Sequence, residues 1–181
     1  MAESPPSLFA HLRFPVGTFA EALAATPDYE AAVREIADFP IRLRELVAHL
    51  ADDDLARTYR PGGWTVRQLV HHCADSHAHA LLRTKRALAK ETAAVAGYAE
   101  APTAELPDYD LPVAPALAML DGLHARFAAL LRGITVDQRR LTYRHLEHAR
   151  DFSVAQTAQV YAWHGRHHLA HVRIALGEPG T

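Results

Sequence analysis

The sequence predicts an all-α fold: a four-helix bundle with long connecting loops. Three observations carry that prediction. Four segments place apolar residues at three- and four-residue steps, capping boxes open the second and fourth of them, and proline- or glycine-bearing breaks lie between. Helices of about twenty residues in that number read as a bundle, whose metal sites are built from inward-facing side chains. The 181 residues suit a single domain over 1–181, with 1–27 as an N-terminal extension packing on the bundle.

The first helix is expected from about Asp28 to Ala51, with Val33, Ile36, Leu43, Leu46, Val47 and Leu50 on its apolar stripe. Pro40 lies inside it and should kink or split it, because proline lacks the N–H a helix interior needs. The segment "YRPGGW" then breaks the chain. Thr65 and Gln68 form a capping box that opens a second helix running to about Glu91. The piece "GYAEAPTAELPDYDLP" is a long loop of the kind that usually carries function. A third helix spans Val113 to Arg132, with Leu117, Leu120, Leu123, Phe127, Leu130 and Leu131 as its stripe. "TYRHLEHARDF" is expected to hold a short extended pair. Ser153 and Gln156 repeat the capping box and open a fourth helix that ends at Gly177.

Composition narrows the function. The chain is 49% hydrophobic and 22% charged, and its net charge of −2 argues against a generic nucleic-acid or anionic-membrane surface. The single cysteine, Cys73, excludes an intramolecular disulfide framework and a Cys-rich zinc site. No window approaches about 18 consecutive apolar residues, and the N-terminus carries no run of signal-peptide length, so a cytoplasmic protein is expected. The anomaly is 13 His against 19 Lys+Arg, which points to metal or proton chemistry.

The stretch "YAWHGRHHLAH" concentrates that anomaly. With His164 at zero on a helical wheel, His168 lies near about +40° and His171 near about −20°, both within the apolar stripe. His167, near about −60°, sits on the flank. A buried imidazole needs a partner for each ring nitrogen, so three in one stripe point to a bound ion. His164 and His168 have the i, i+4 spacing by which two imidazoles chelate one cation. The sequence HGRHH lacks the glutamate of HExxH, so metallopeptidase chemistry is not supported. A third ligand is expected from "VHHCADSH" in helix two, where periodicity admits His72, His77 or Cys73 and turns His71 toward the surface.

"YRPGGWTVRQLVHHCADSHAHALLRTKRALAKE" and "YAWHGRHHLAH", with "RFPVGTF" near the N-terminus, closely resemble the YfiT-like branch of the DinB superfamily. The resemblance implies up-down-down-up connectivity, a homodimer, and a divalent metal held by three histidines. It selects His72 from helix two, beside His164 and His168. Zinc or nickel is the expected ion, with iron, cobalt or manganese as alternatives. The implied activity is transfer of a low-molecular-weight thiol such as bacillithiol to an electrophilic substrate, or hydrolysis through a metal-bound water. A non-catalytic metal-binding stress protein is the remaining alternative.

Asp75, one turn beyond His72, and His171, on the metal-facing stripe, are the candidate catalytic residues. Arg67 and Arg83 could attract an anionic cosubstrate, whereas Trp64, Tyr161 and Trp163 read as bundle packing. Two departures from the family pattern stand out. Cys73 replaces a plain aliphatic residue, and Gly97-Tyr98-Ala99-Glu100 stands where a Tyr-Asp-Glu-x-x-Trp run is usual.

Overall fold

The computed structural model describes residues 9–26, 28–90 and 94–180. In chain order these form α1 (Ala10–Arg13), α2 (Phe19–Ala24), α3 (Tyr29–Val47), α4 (Asp52–Leu55), α5 (Val66–Leu88) and α6 (Glu100–Thr103). A 3-10 turn at Pro107–Asp110 precedes α7 (Ala114–Gly133) and α8 (Val136–Arg139); strands β1 (Thr142–His145) and β2 (Arg150–Ser153) lead into α9 (Val154–Leu176).

The four long helices begin and end where local chemistry places them. The Asp28 carboxylate accepts the Ala31 N–H at 2.9 Å to start α3. Thr65 with Gln68 and Ser153 with Gln156 form complete capping boxes on α5 and α9. Gly177, at φ 86°, closes α9 by donating its N–H to the Arg173 and Ile174 carbonyls, a left-handed cap that a Cβ would strain. The expected end of the second helix at Glu91 lies outside the described residues; α5 stops at Leu88. Pro40 does not split its helix: α3 runs through it unbroken, with Pro40 buried. The expected extended pair is an antiparallel hairpin with Tyr143 opposite Phe152.

Side-chain contacts give each helix its direction. Tyr29 donates to the Leu131 carbonyl and Arg44 pairs with Asp121, so α3 and α7 run antiparallel. Glu35 pairs with Arg166 while the more N-terminal part of α3 faces Gln159 and Ala162, so α3 and α9 run parallel. His71 meets the Leu111 carbonyl and His77 meets His124, making α5 parallel to α7. His72 and His77 meet His168 and His164 in reverse order, making α5 antiparallel to α9. The result is up-down-down-up. The principal helix contacts are α3 with α7 and α9, and α5 with α7 and α9, so α3 faces α5 across a diagonal. Residues 48–65 and 134–153 are long because they cross the two diagonals. The 89–113 connection is long because it returns along a parallel neighbour.

The apolar core is two clusters rather than one. Phe39, Leu43, Val47, Leu69, Leu117, Leu120 and Leu169 anchor the first. Ile36, Ala80, Leu81, Phe127, Leu131, Ala158 and Tyr161 anchor the second. Between them, on α5, α7 and α9, lie His77, His124, His164 and His168: the bundle is interrupted by a layer of imidazoles. The N-terminal segment packs beside this layer on α9, where the Trp163 indole donates to the Gly17 carbonyl at 3.2 Å. Among the described residues, no helix is long and apolar enough to cross a membrane.

Candidate metal centre

Three histidines converge in the imidazole layer. His164 and His168 stand one turn apart on α9, and His72 reaches them from α5. The His164 Nε2 atom lies 3.2 Å from His72 Nε2 and 3.2 Å from His168 Nε2. Two nitrogens bound about 2.05 Å from one tetrahedral ion stand roughly 3.3 Å apart, so the donor set fits a divalent cation. Burial sets the charge state. It pushes His72 down to about 3, with the nearby His167 adding to the effect, and drives His164 and His168 well below the ordinary imidazole range. All three are therefore neutral near neutral pH, the form that binds metal.

Each candidate ligand is also held from behind. His72 Nδ1 lies 2.9 Å from the Tyr98 hydroxyl. His164 Nδ1 lies 2.9 Å from His77 Nε2, and His77 Nδ1 lies 2.9 Å from His124 Nε2. His124 Nδ1 donates to the Ile36 carbonyl at 2.5 Å. His168 Nδ1 lies 3.4 Å from His171 Nδ1, whose Nε2 donates to the Arg13 carbonyl at 3.3 Å. Such outer partners fix ring orientation and raise ligand basicity. Phe39 stacks on His77 at 5.0 Å, and Trp64 lies 4.5 Å from His72.

The other sequence candidates separate clearly. His77 is fully buried behind His164 rather than beside His72 at the convergence point. Cys73 is buried in the first apolar cluster, where burial pushes its thiol up and away from the reactive thiolate. His71 does point away from the triad, but it is not a surface residue: it is 8% exposed, against Tyr109 and the Leu111 carbonyl. His167 is buried too, and its Nδ1 has no partner among the described residues. With His168 and His171 it makes a second grouping of ligand atoms within 4.8 Å, but that grouping shares His168 with the triad. Asp75 accepts the Tyr109 hydroxyl at 2.8 Å; the partner behind His72 is the Tyr98 hydroxyl instead. His171 stacks on Tyr59 at 3.9 Å behind His168. Arg67 pairs with Asp52 at 2.7 Å, whereas Arg83 is buried, with its Nη2 donating to the Ala96 carbonyl at 3.0 Å.

A cavity of about 560 Å³ opens on the triad, and Arg13, Arg60, Arg83, Tyr98, Trp64 and Tyr161 line it among others. Sequence reasoning passed over four of the residues that matter here. Tyr98 sits on an aperiodic loop that gives no angular signal. Trp64 and Tyr161 are packing residues that also border the cavity. His124 did leave a signal, a histidine on the helix-three stripe between Leu120 and Phe127.

Fold and site together define a four-helix bundle in which three converging histidines, able to hold a metal ion, line a cavity. Residues 35–172 match the model of the DinB superfamily, and the chain belongs to that superfamily. A protein of Halalkalibacterium halodurans, named as a candidate metal-dependent hydrolase, is 38% identical over 165 residues, covering 91% of this chain and 96% of its own. A similarly named protein of Oceanobacillus iheyensis is 41% identical over 140 residues, covering 77% of this chain and 81% of its own. The solved structure of YfiT from Bacillus subtilis, described as a candidate metal-dependent hydrolase with an unusual four-helix bundle topology, superposes with a TM-score of 0.83. It is 31% identical, and the match covers 93% of this chain and 99% of that one.

Proposed function

We propose that this chain is a metal-dependent enzyme that transfers a low-molecular-weight thiol to an electrophilic substrate. His72, His164 and His168 hold the divalent ion, zinc or nickel before iron, cobalt or manganese. The observation that carries this reading is the cavity of about 560 Å³ meeting three neutral, convergent Nε2 atoms. Bound there, a divalent cation supplies a Lewis acid of undiminished charge, which lowers the pKa of a thiol or water at its open position.

The choice of nucleophile rests on what surrounds the ligands. Among the described residues, no carboxylate hydrogen-bonds any of the three histidines; their outer partners are a hydroxyl and two imidazoles. A thiol ionises far more readily than water and needs no base to become the nucleophile at the ion, which supports the thiol reading although Glu100 and Glu147 line the same cavity. Arg83 reaches the Ala96 carbonyl and the Tyr161 hydroxyl, and its remaining N–H groups suit an anionic group on the thiol or the electrophile. Hydrolysis at the same open position is the second reading, favoured by the names of the relatives.

The test is one assay of purified, zinc- or nickel-loaded protein with a small thiol and a model electrophile, with and without chelator. Chelator-sensitive thiol consumption is expected, and should vanish in His72→Ala and His164→Ala proteins. Chelator-sensitive ester hydrolysis that ignores the thiol would replace this reading with the hydrolase. Full metal occupancy with neither activity would leave a metal-binding stress protein. The reading includes a homodimer, and a monomer in sedimentation velocity would remove that part.

A further inference from the structure

The bonds behind the metal centre have a direction, and that direction is forced from its far ends. A carbonyl oxygen only accepts, so His124 must donate to Ile36 from Nδ1. A neutral imidazole carries one N–H, so His124 Nε2 is left as an acceptor and must take its bond from His77 Nδ1. His77 Nε2 then accepts from His164 Nδ1, and His164 is left with a bare lone pair on Nε2, facing the ion position. The same logic runs through the other α9 ligand. His171 donates from Nε2 to the Arg13 carbonyl, its Nδ1 accepts from His168 Nδ1, and His168 Nε2 is left bare.

Both terminal carbonyls are ones a helix cannot satisfy. Ile36 stands four residues before Pro40, whose missing N–H leaves that carbonyl without its helical donor. Arg13 is the last residue of α1, where carbonyls have no following turn. Burial keeps the rings neutral: His124 is pushed down to about 4, His171 to about 3, and His77 well below the ordinary range.

We propose that two imidazole chains, anchored on the Ile36 and Arg13 carbonyls, preset His164 and His168 in the Nδ1–H tautomer before any metal arrives. His77, His124 and His171 are thereby positioning residues, and Pro40, which lacks an N–H within the continuous α3, frees one anchor. His72 differs, because the Tyr98 hydroxyl can donate or accept and so leaves its tautomer unset. This proposal rests on the assignment of the three ligands but not on which nucleophile the enzyme uses.

The experiment is long-range proton–nitrogen correlation NMR on histidine-labelled, metal-free protein at pH 7.5. His77, His124, His164 and His168 should all carry the proton on Nδ1, and His171 on Nε2. A proton on Nε2 of His164 or His168 would overturn the proposal without any variant having to fold. Variants add a second readout. His124→Leu removes donor and acceptor together, and should mix the His164 tautomers and weaken zinc binding about tenfold. His124→Gln, with one amide donor and one amide acceptor, should restore both. Unchanged tautomers and zinc affinity in His124→Leu would overturn the chain through Ile36. Preset rings in a protein that takes up no zinc would instead overturn the ligand assignment and leave the chains standing.

Discussion

A single hydroxyl, Tyr98, holds the back of the ligand that joins α5 to α9. Burial, reinforced by Glu100, raises its pKa, so it stays a neutral phenol beside His72. Tyr98→Phe should keep the fold and weaken zinc binding about tenfold, read by competition with a chromophoric chelator. Arg83→Met should raise KM for an anionic cosubstrate while leaving metal content unchanged; an unaltered KM would remove Arg83 from substrate binding. Gly165 matters through what it lacks. A Cβ there would stand 2.9 Å from Phe39 Cδ2, and Phe39 is the ring that stacks on His77. Gly165→Ala should therefore cost about 1–3 kcal/mol in urea unfolding, because a packed ring rather than a flexible chain end must shift. At this scale the sequence was partly legible. The spacing of His164 and His168 on an apolar stripe singled them out as the candidate pair, whereas angle put His77 and Cys73 mid-stripe and His72 at its edge and left the choice among the three open. Angle also misjudged His71, because it reports the face of a helix and cannot see a loop that covers the back of it.

Helix boundaries were legible because caps are local. Asp28, Thr65, Ser153 and Gly177 all act within a few residues of themselves, and each closes the end expected of it. Ser153→Ala should cost about 1 kcal/mol, seen as a lower thermal midpoint, with the metal content intact because α9 remains packed along its length. Pro40 was read locally, and the split that reading allowed does not occur. Its cost is one stranded carbonyl, and the donor that satisfies it sits 88 residues away on α7. Which helices become neighbours was likewise invisible to periodicity. It depends on contacts such as Tyr29 with Leu131 and His77 with His124, each between residues remote in sequence. The connectivity came only from the resemblance to known relatives.

The molecule as a whole places its buried titratable rings at mid-height, where neutral imidazoles separate two apolar clusters. That layer couples stability to pH. Unfolded histidines titrate near about 6.5, whereas in the folded chain His124 and His167 are held down to about 4, and His72 and His171 to about 3. Between those values the unfolded chain binds more protons than the folded one, so stability rises with pH through the window. It is fully present above about 6.5 and drains away on acidification toward the folded values, each group adding a slope of up to about 1.4 kcal/mol per pH unit. Urea midpoints of metal-free protein should therefore be level from pH 8 to 7 and fall steeply from pH 6 to 5. Zinc should raise the neutral midpoint by mass action, and that increment should shrink on acidification as protons compete for the same nitrogens. His124→Leu should flatten the metal-free profile by about one proton's slope, since it removes one buried titrating ring without touching a ligand. A metal-free midpoint that does not move between pH 7 and 5 would mean that the folded layer takes up protons as readily as the unfolded chain, and burial would then not be what holds its rings neutral.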